Sequence, residues 1–419
     1  MMPEPSQVRS SPSPRVQRPV GRERAGAASR AAEVSRPGRR DVHISVWPEE
    51  PGGGSVQLAA VYREFERALD GAGASPGDVV WERLFLAAPL SAAETREIEA
   101  LRGDGAWARR SSVRCAVVQP PCTFGRHCEL QAIVAPPSPR GVAGRNGRHE
   151  IHLADLRGPR SGSFFDEAVG MFEAAEAELA RRGSGFRDVV RTWIHLADMD
   201  GTYAELNAAR RLFFTRRGIC PPPASTGIGG ESGAAPYLKG EAASGAARGT
   251  VGVAGSVTGD SRRPRVLLSL YALSGKDAPR PRPITTPTLN EASDYGADFS
   301  RGMAVAEPEN GGALLHISGT AAVDESGCSI GPGDFDAQLE RTILNIEGLL
   351  ASQGAQIRDV VSAVGYLRSR DFLASYRRGI ERSGLLEVPH AIVEAEVCRP
   401  ELLCEVEVIA FRRGGTAPD

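Results

Sequence analysis

Two carboxylates occupy positions that packing alone does not call for. Glu405 and Glu407 lie within the run 388–411, VPHAIVEAEVCRPELLCEVEVIAF, beside Val406, Ile409 and Phe411. Burying an ionised carboxylate costs several kcal/mol unless it is paired, so such a residue is either solvated, partnered or doing chemistry. Read as a strand, the run puts Glu405, Glu407 and Ile409 on one face and Cys404, Val406 and Val408 on the other. One reading is an edge strand with a solvated face. The other is a carboxyl group whose pKa is raised toward neutrality by apolar surroundings, which suits it to hand over a proton. Glu407 is then either the acid itself or the like charge that raises Glu405.

Other side-chain groupings are less telling. Cys122, His127 and Cys128 are close together, but no second ligand pair follows at zinc-site spacing, so no closed metal site is expected. The chain has no Ser-His-Asp pattern, no phosphate-binding loop and no dinucleotide glycine fingerprint, and no cofactor is expected. Seven cysteines, an odd number scattered over the chain, argue against a disulfide framework and for a reducing cytoplasm. A formal net charge of −2 gives no pull toward nucleic acid or a membrane surface. No apolar run reaches the roughly 18–20 residues of a membrane span, and no secretory signal core is evident at the N-terminus.

At 419 residues, two or three domains are expected. Residues 1–40 are rich in Arg, Pro and Ser and read as a disordered basic tail. Strands are expected at 41–46, 79–86 and 112–118, with helices over 56–69 and 92–101. A clearer rhythm follows: strand 150–156, helix 164–182 closed by Gly183, strand 186–196 and helix 201–217 stopped by Pro221. Residues 224–250, rich in Gly, Ala and Ser, read as loop with short strands. Strands at 251–254 and 266–271 precede a proline-rich linker, 276–288. Beyond it come strand 314–319, helix 334–353, strand 357–367, helix 372–384 and the closing strand after Pro389.

The sequence repeats itself. AAEAELARRGSGFRDVVRTWIHL and NIEGLLASQGAQIRDVVSAVGYL share helix, Gly, Arg-Asp-Val-Val and strand, and both anchor pairs, Gly183/Gly354 and Asp188/Asp359, stand 171 positions apart (354 − 183, 359 − 188). A duplicated α+β domain is expected, with an N-terminal part over 41–275 and a C-terminal part over 289–413, helices covering one face of mixed sheets.

Each half resembles a YjgF/Rid-type domain, of chorismate mutase-like fold. In the second half the resemblance rests on His316-Ile317-Ser318-Gly319-Thr320, Asp359-Val360-Val361 and Cys404-Glu405-Val406-Glu407. Two such halves resemble, more narrowly, the chorismatase family. The narrower match is carried by Tyr203 through Asn207 and Arg210 to Phe213-Phe214, leading into Pro222-Pro223-Ala224-Ser225-Thr226-Gly227-Ile228-Gly229; by Asp294-Tyr295-Gly296 before Phe299-Ser300-Arg301; by Ser318-Gly319-Thr320-Ala321; and by Cys398-Arg399-Pro400-Glu401-Leu402-Leu403 before Glu405. Coverage is poorer before residue 140. Position 390 holds His where ordinary Rid deaminases are expected to carry their substrate-carboxylate arginine.

The resemblance implies an enzyme acting on chorismate, a small dicarboxylate with an enolpyruvyl ether, in the cytoplasm. Its cleavage needs a cationic clamp and a proton donor. Arg suits the clamp, because its planar fork pairs carboxylates bidentately. Arg210 and Arg301, each near aromatic residues, are the leading candidates, with Arg399 a third. Tyr203 and Tyr295 are candidate hydrogen-bond donors or packed core aromatics. Glu405, seven positions after Cys398 (405 − 398), stands at the spacing the resemblance implies for the catalytic glutamate. Cys398, a catalytic candidate and otherwise a small buried hydrophobe, resembles the branch that makes 3-hydroxybenzoate and pyruvate. The alternatives are the branch that hydrolyses chorismate to a dihydroxycyclohexadiene carboxylate and pyruvate, a Rid-like imine deaminase, and an idle binding protein. Either 3-hydroxybenzoate or the dihydrodiol would suit a starter unit of a secondary metabolite. Rid domains commonly form trimers, so the duplicated chain either satisfies that contact internally or forms a homo-oligomer.

Overall fold

The computed structural model describes residues 16–17, 26–36, 39–103, 113–136, 148–160, 162–233, 263–307 and 311–414. It contains three mixed β-sheets. The first sheet is formed by β1 (Val16–Gln17), β2 (Ala27–Arg36), β3 (Arg39–Pro48), β4 (Val79–Leu86), β5 (Val113–Val118), β6 (Cys128–Val134) and β10 (Glu231–Ser232), with α1 (Gly54–Gly71) and α2 (Ala92–Gly103). The second has β7 (Arg148–Leu156), β8 (Val189–Leu196), β9 (Ala224–Gly229) and β11 (Val266–Gly275), with α3 (Phe164–Ala180) and α4 (Met199–Arg217). The third has β12 (Arg282–Pro283), β13 (Gly302–Glu307), β14 (Gly312–Ala321), β15 (Val360–Leu367), β16 (His390–Glu394) and β17 (Cys404–Arg412), with α5 (Phe335–Ala351) and α6 (Leu373–Ser383).

The three sheets share one winding. The first runs β2-β3-β6-β4-β5, the third β13-β14-β17-β15-β16, and the second β7-β11-β8-β9, the same order without its first strand. In each, one parallel pair (β4 with β5, β8 with β9, β15 with β16) sits among antiparallel partners. The common Asp-Val-Val has a local cause. Asp78, Asp188 and Asp359 each end a short 3₁₀ turn and accept a bond from the backbone N–H of the residue three before, Ser75 at 2.8 Å, Gly185 at 3.0 Å and Gln356 at 2.8 Å. That closes the turn and starts the following strand in fixed register.

The stretch 41–275, read above as one domain, therefore carries two sheets. The third copy of the repeat is Asp78-Val79-Val80, 110 positions before Asp188 (188 − 78). Order also begins earlier than expected. Residues 27–36, placed above in a disordered tail, form β2, paired along its whole length with β3, because Ala32 and Val34 point into the core. The linker 276–288 includes β12, which pairs with β13. The 251–254 strand lies outside the described residues. The run 388–411 is two strands rather than one: a loop holding Cys398, Arg399 and Pro400 separates β16 from β17, and the amide of Leu402 turns back onto the carbonyl of Arg399 at 3.0 Å.

The sheets meet in a shared interior. Ala32, Val34, Trp81, Trp193, Tyr271, Leu314, Val361 and Phe411, contributed by all three, form one apolar cluster. Helices cover the outer faces, α3 through Phe172 and Leu179 and α5 through Leu339, Ile346 and Leu350. Among the described residues, no helix is long and apolar enough to cross a membrane.

Candidate active site

The seam between the second and third sheets is stitched by small polar residues. β9 lies beside Ser300, with a bridge between Ala224 and Ser300. Ser225 N donates to Ser318 Oγ at 2.9 Å, Ser318 Oγ donates to the Ser300 carbonyl at 2.6 Å, and Gly319 N donates to Thr226 Oγ1 at 2.9 Å. The Gly, Ala and Ser content that made 224–229 read as loop is what lets two backbones approach this closely. Ser-Thr-Gly and Ser-Gly-Thr are thus the two lips of one seam.

A cavity opens on that seam. Tyr203, Arg210, Tyr295, Arg301, Cys398, Arg399 and Glu405, the seven residues singled out above, all line it. α4 starts at Asp198, whose side chain accepts from Gly201 N at 2.9 Å, and ends at Gly218 in the left-handed region. Tyr203 and Arg210 lie two turns apart on one face of this helix. Arg210, 2% exposed, is held by Asn207 Oδ1 and lies 5.4 Å over the Phe299 ring. Arg301, 5% exposed, donates from Nε to the Asn290 carbonyl at 2.7 Å and from Nη2 to Asn290 Oδ1 at 2.9 Å. Its guanidinium lies over both Tyr295 and Phe299, and Arg399 approaches Tyr295 from the loop before β17. Arg399 Nη1 donates to the Gly327 carbonyl at 2.8 Å. None of these three arginines has a carboxylate partner among the described residues. Three guanidiniums thus line one cavity without an ion-pair contact to a carboxylate among the described residues.

Glu405 enters the cavity from β17. It is 4% exposed, and burial, followed by the charge of Glu407, pushes its carboxyl up to about 8. Gly319 makes the space for it: a Cβ there would lie 1.7 Å from Glu405 Oε1 and 3.1 Å from Thr226 Cγ2. Gly319→Ala is therefore expected to force the carboxyl aside and destabilise the chain by about 1–3 kcal/mol, read as a lower midpoint in urea unfolding. Unchanged stability would show that Glu405 moves aside freely. Cys398 is a neutral thiol, pushed up to about 12 by burial and then by Glu405, so it fills space and is not a thiolate nucleophile. Burial likewise raises the Tyr203 and Tyr295 hydroxyls, which remain hydrogen-bond donors.

Glu407 faces away from this cavity. Its carboxylate accepts from Arg83 Nη1 at 2.8 Å, Arg191 Nη2 at 2.7 Å, Trp193 Nε1 at 3.1 Å and Thr226 Oγ1 at 2.6 Å. Burial is overcome by the two guanidiniums, and its pKa falls to about 2. Neither glutamate lies on a solvated edge: β17 is a central strand, between β14 and β15. Arg83, Arg191 and Trp193 were not among the sequence candidates. Their signal was available, since Arg191 and Trp193 alternate in the apolar strand VVRTWIHL as Glu405 and Glu407 do in theirs.

The Cys122–Cys128 region also finds its place. Cys122, Cys128 and Glu129 each precede Cys398, Cys404 and Glu405 by 276 positions (398 − 122, 404 − 128, 405 − 129). Glu129 opposes Phe85 on β4 as Glu405 opposes Tyr366 on β15. At this seam of the first and third sheets, however, Arg126 pairs with Glu129 at 2.7 Å, which closes the position.

Comparison with known proteins agrees with this architecture. Residues 297–412 match the family model for endoribonuclease L-PSP. A RutC family protein of Pyrococcus abyssi (strain GE5 / Orsay) is 29% identical over 102 residues, 24% of this chain and 80% of that protein. These place the third sheet and its helices among Rid-like α+β domains. Over a larger span, the solved structure of a chorismatase matches with a TM-score of 0.55 at 19% identity, covering 80% of this chain and 93% of that one. The chain is chorismatase-like in fold, built of tandem Rid-like units.

Proposed function

We propose that the chain is a chorismatase that releases pyruvate from chorismate. The observation that carries this reading is a buried carboxyl group, Glu405, in a cavity lined by three guanidiniums that make no ion pair with a carboxylate among the described residues; burial raises that carboxyl to about 8. Chorismate brings two carboxylates for Arg210, Arg301 and Arg399, and an enol ether for Glu405. The Glu405 proton adds to the terminal carbon of the enolpyruvyl group and generates an oxocarbenium ion. The ring carbon–oxygen bond then breaks, and the side chain leaves as pyruvate.

For the product, 3-hydroxybenzoate is the reading Cys398 favours. The neighbouring ring hydroxyl oxygen takes the place of the departing side chain and its proton returns to the Glu405 carboxylate; the bond from that oxygen to its original ring carbon then breaks, and loss of the proton on the carbon that bore the side chain aromatises the ring and leaves the oxygen as the phenol hydroxyl. No water is consumed. In the hydrolytic alternative, water adds to the oxocarbenium carbon and the ring keeps both oxygens as a diol. The half-buried thiol of Cys398 and Ala321 line the same cavity and fill space a water would need. Cys398→Ala frees room comparable to one water molecule, and is expected to divert product toward the dihydrodiol. Chromatography of the products after incubation with chorismate separates the cases, alongside pyruvate detected with lactate dehydrogenase. Chorismate left intact by the wild-type chain overturns the whole reading.

An imine deaminase is the weaker reading. His390, at the position expected for the deaminase arginine, is hydrogen-bonded to Tyr376 Oη at 2.9 Å and is not among the residues lining the cavity. Burial lowers its pKa to about 4, so it supplies no cation at neutral pH.

A further inference from the structure

Glu407 is the point at which all three sheets converge. It is 6% exposed and lines a second cavity with Trp81, Arg83, Arg191, Trp193 and Ser362. The first sheet contributes Arg83, which also donates to Tyr366 Oη at 3.1 Å. The second contributes Arg191, Trp193 and Thr226, together with His195, which burial lowers to about 3 and keeps neutral. Thr226 Oγ1 takes a bond from Gly319 N while giving one to Glu407, so the same hydroxyl ties Glu407 to the glycine on which Glu405 packs. From the third sheet come Tyr366 and, two residues back along the strand, Glu405. Facing Glu405 from other elements are Arg191, Arg301, Cys398 and Tyr203.

A carboxylate held by two guanidiniums, an indole N–H and a hydroxyl stays ionised. Residues two apart on a strand are separated by about 7 Å, and a fixed negative charge at that range in a poorly solvated interior changes a neighbour's dissociation constant roughly tenfold to a hundredfold. We propose that Glu407, clamped by Arg83 and Arg191, is the positioning residue that adds to burial in biasing Glu405 toward its protonated form, so that the first sheet reaches the acid through this clamp although it lines no part of its cavity. The inference rests on Glu405 being the acid of the reaction proposed above.

The test follows Glu405 directly, with the full chain labelled at the glutamate carboxyl carbons and observed by carbon NMR from about pH 5 to about pH 10. The Glu405 resonance is identified by its loss in Glu405→Gln. Glu407→Gln removes the like charge and should shift the Glu405 midpoint to lower pH, a rise in its dissociation constant of about tenfold or more. Arg83→Gln removes a cation while Arg191 keeps Glu407 ionised, and should shift the midpoint to higher pH. Shifts of opposite sign are what a packing defect cannot produce. The basic limb of kcat/KM with chorismate should follow the same two directions. Midpoints unchanged in both variants overturn the inference even where chorismate is turned over. Midpoints that shift as stated in a chain that ignores chorismate uphold the coupling and overturn the proposed reaction instead. Should Glu407→Gln fail to fold, Arg83→Gln decides alone, and a midpoint at or below that of the wild type overturns the inference.

Discussion

Replacing Glu405 with Gln is expected to reduce pyruvate release from chorismate by about a hundredfold to ten-thousandfold, the range a positioned general acid contributes. The amide matches the protonated acid in shape and charge, so the fold and the arginine ring should persist and KM should change little. The wild-type pH profile carries the second half of this prediction. Glu405 is raised from 4.5 to about 8, so kcat/KM should hold below about pH 8 and fall above it as the proton is lost. The linked stability has a definite sign. Between pH 4.5 and about 8 the folded chain keeps a proton on Glu405 that the unfolded chain has released, so raising pH across that window destabilises the fold. Glu407 acts the other way: its contribution is present above 4.5 and is lost as pH falls toward about 2. Stability of Glu405→Gln should lose the first dependence when measured across pH 5 to 8 and keep the second when measured below pH 4.5. A variant retaining wild-type turnover would remove Glu405 from the mechanism.

Arg301→Met should raise KM for chorismate by roughly tenfold to a hundredfold, the loss of one or two charge-assisted hydrogen bonds at about 1.5–3 kcal/mol each. Met preserves the length that packs against Tyr295 and Phe299, so stability should change less than binding. The guanidinium also lowers the Glu405 pKa. Its removal should therefore move the basic limb to higher pH, opposite to the expectation for Glu407→Gln. Steady-state kinetics across pH read both effects in one series. A KM unchanged from the wild type would mean that Arg301 does not hold the substrate.

What could be read from the sequence divides by distance along the chain. The long helices and the Asp-Val-Val strands were legible because their signals are local: caps, terminal glycines and alternation. Glu405 stood out because a carboxylate in an apolar strand needs a cause, and Gly319, Arg210, Arg301 and Cys398 were marked by motifs around them. Short strands were expected within 224–250, but the place of β9 was not legible, since Ala-Ser-Thr-Gly-Ile-Gly has low strand propensity and is held extended by β8 and Ser300. The third repeat was obscured by unequal spacing, 110 positions against 171. The partners of Glu407 were beyond reach for a different reason. Arg83 is 324 residues away, on another sheet, and only the meeting of the sheets decides which buried cation finds which carboxylate.

The common winding of the three sheets has a consequence for the residues at their centre. Arg83 opposes Gln131, Trp193 opposes Ser269, and Val364 opposes Glu407 at corresponding places in the three registers. Three identical subunits meeting around such a centre would each present the same residue, so a glutamate there would be three glutamates and an arginine three arginines. Like charges crowded together in that way cannot all stay ionised. A single covalent chain escapes the constraint, because each copy of the unit drifts separately. It can seat one anion among two cations and two indoles, a mixture that no rotation of identical parts can generate. Concatenation is thus more than a way of holding three units together: it breaks the symmetry that would forbid a lone charge at the heart of the molecule.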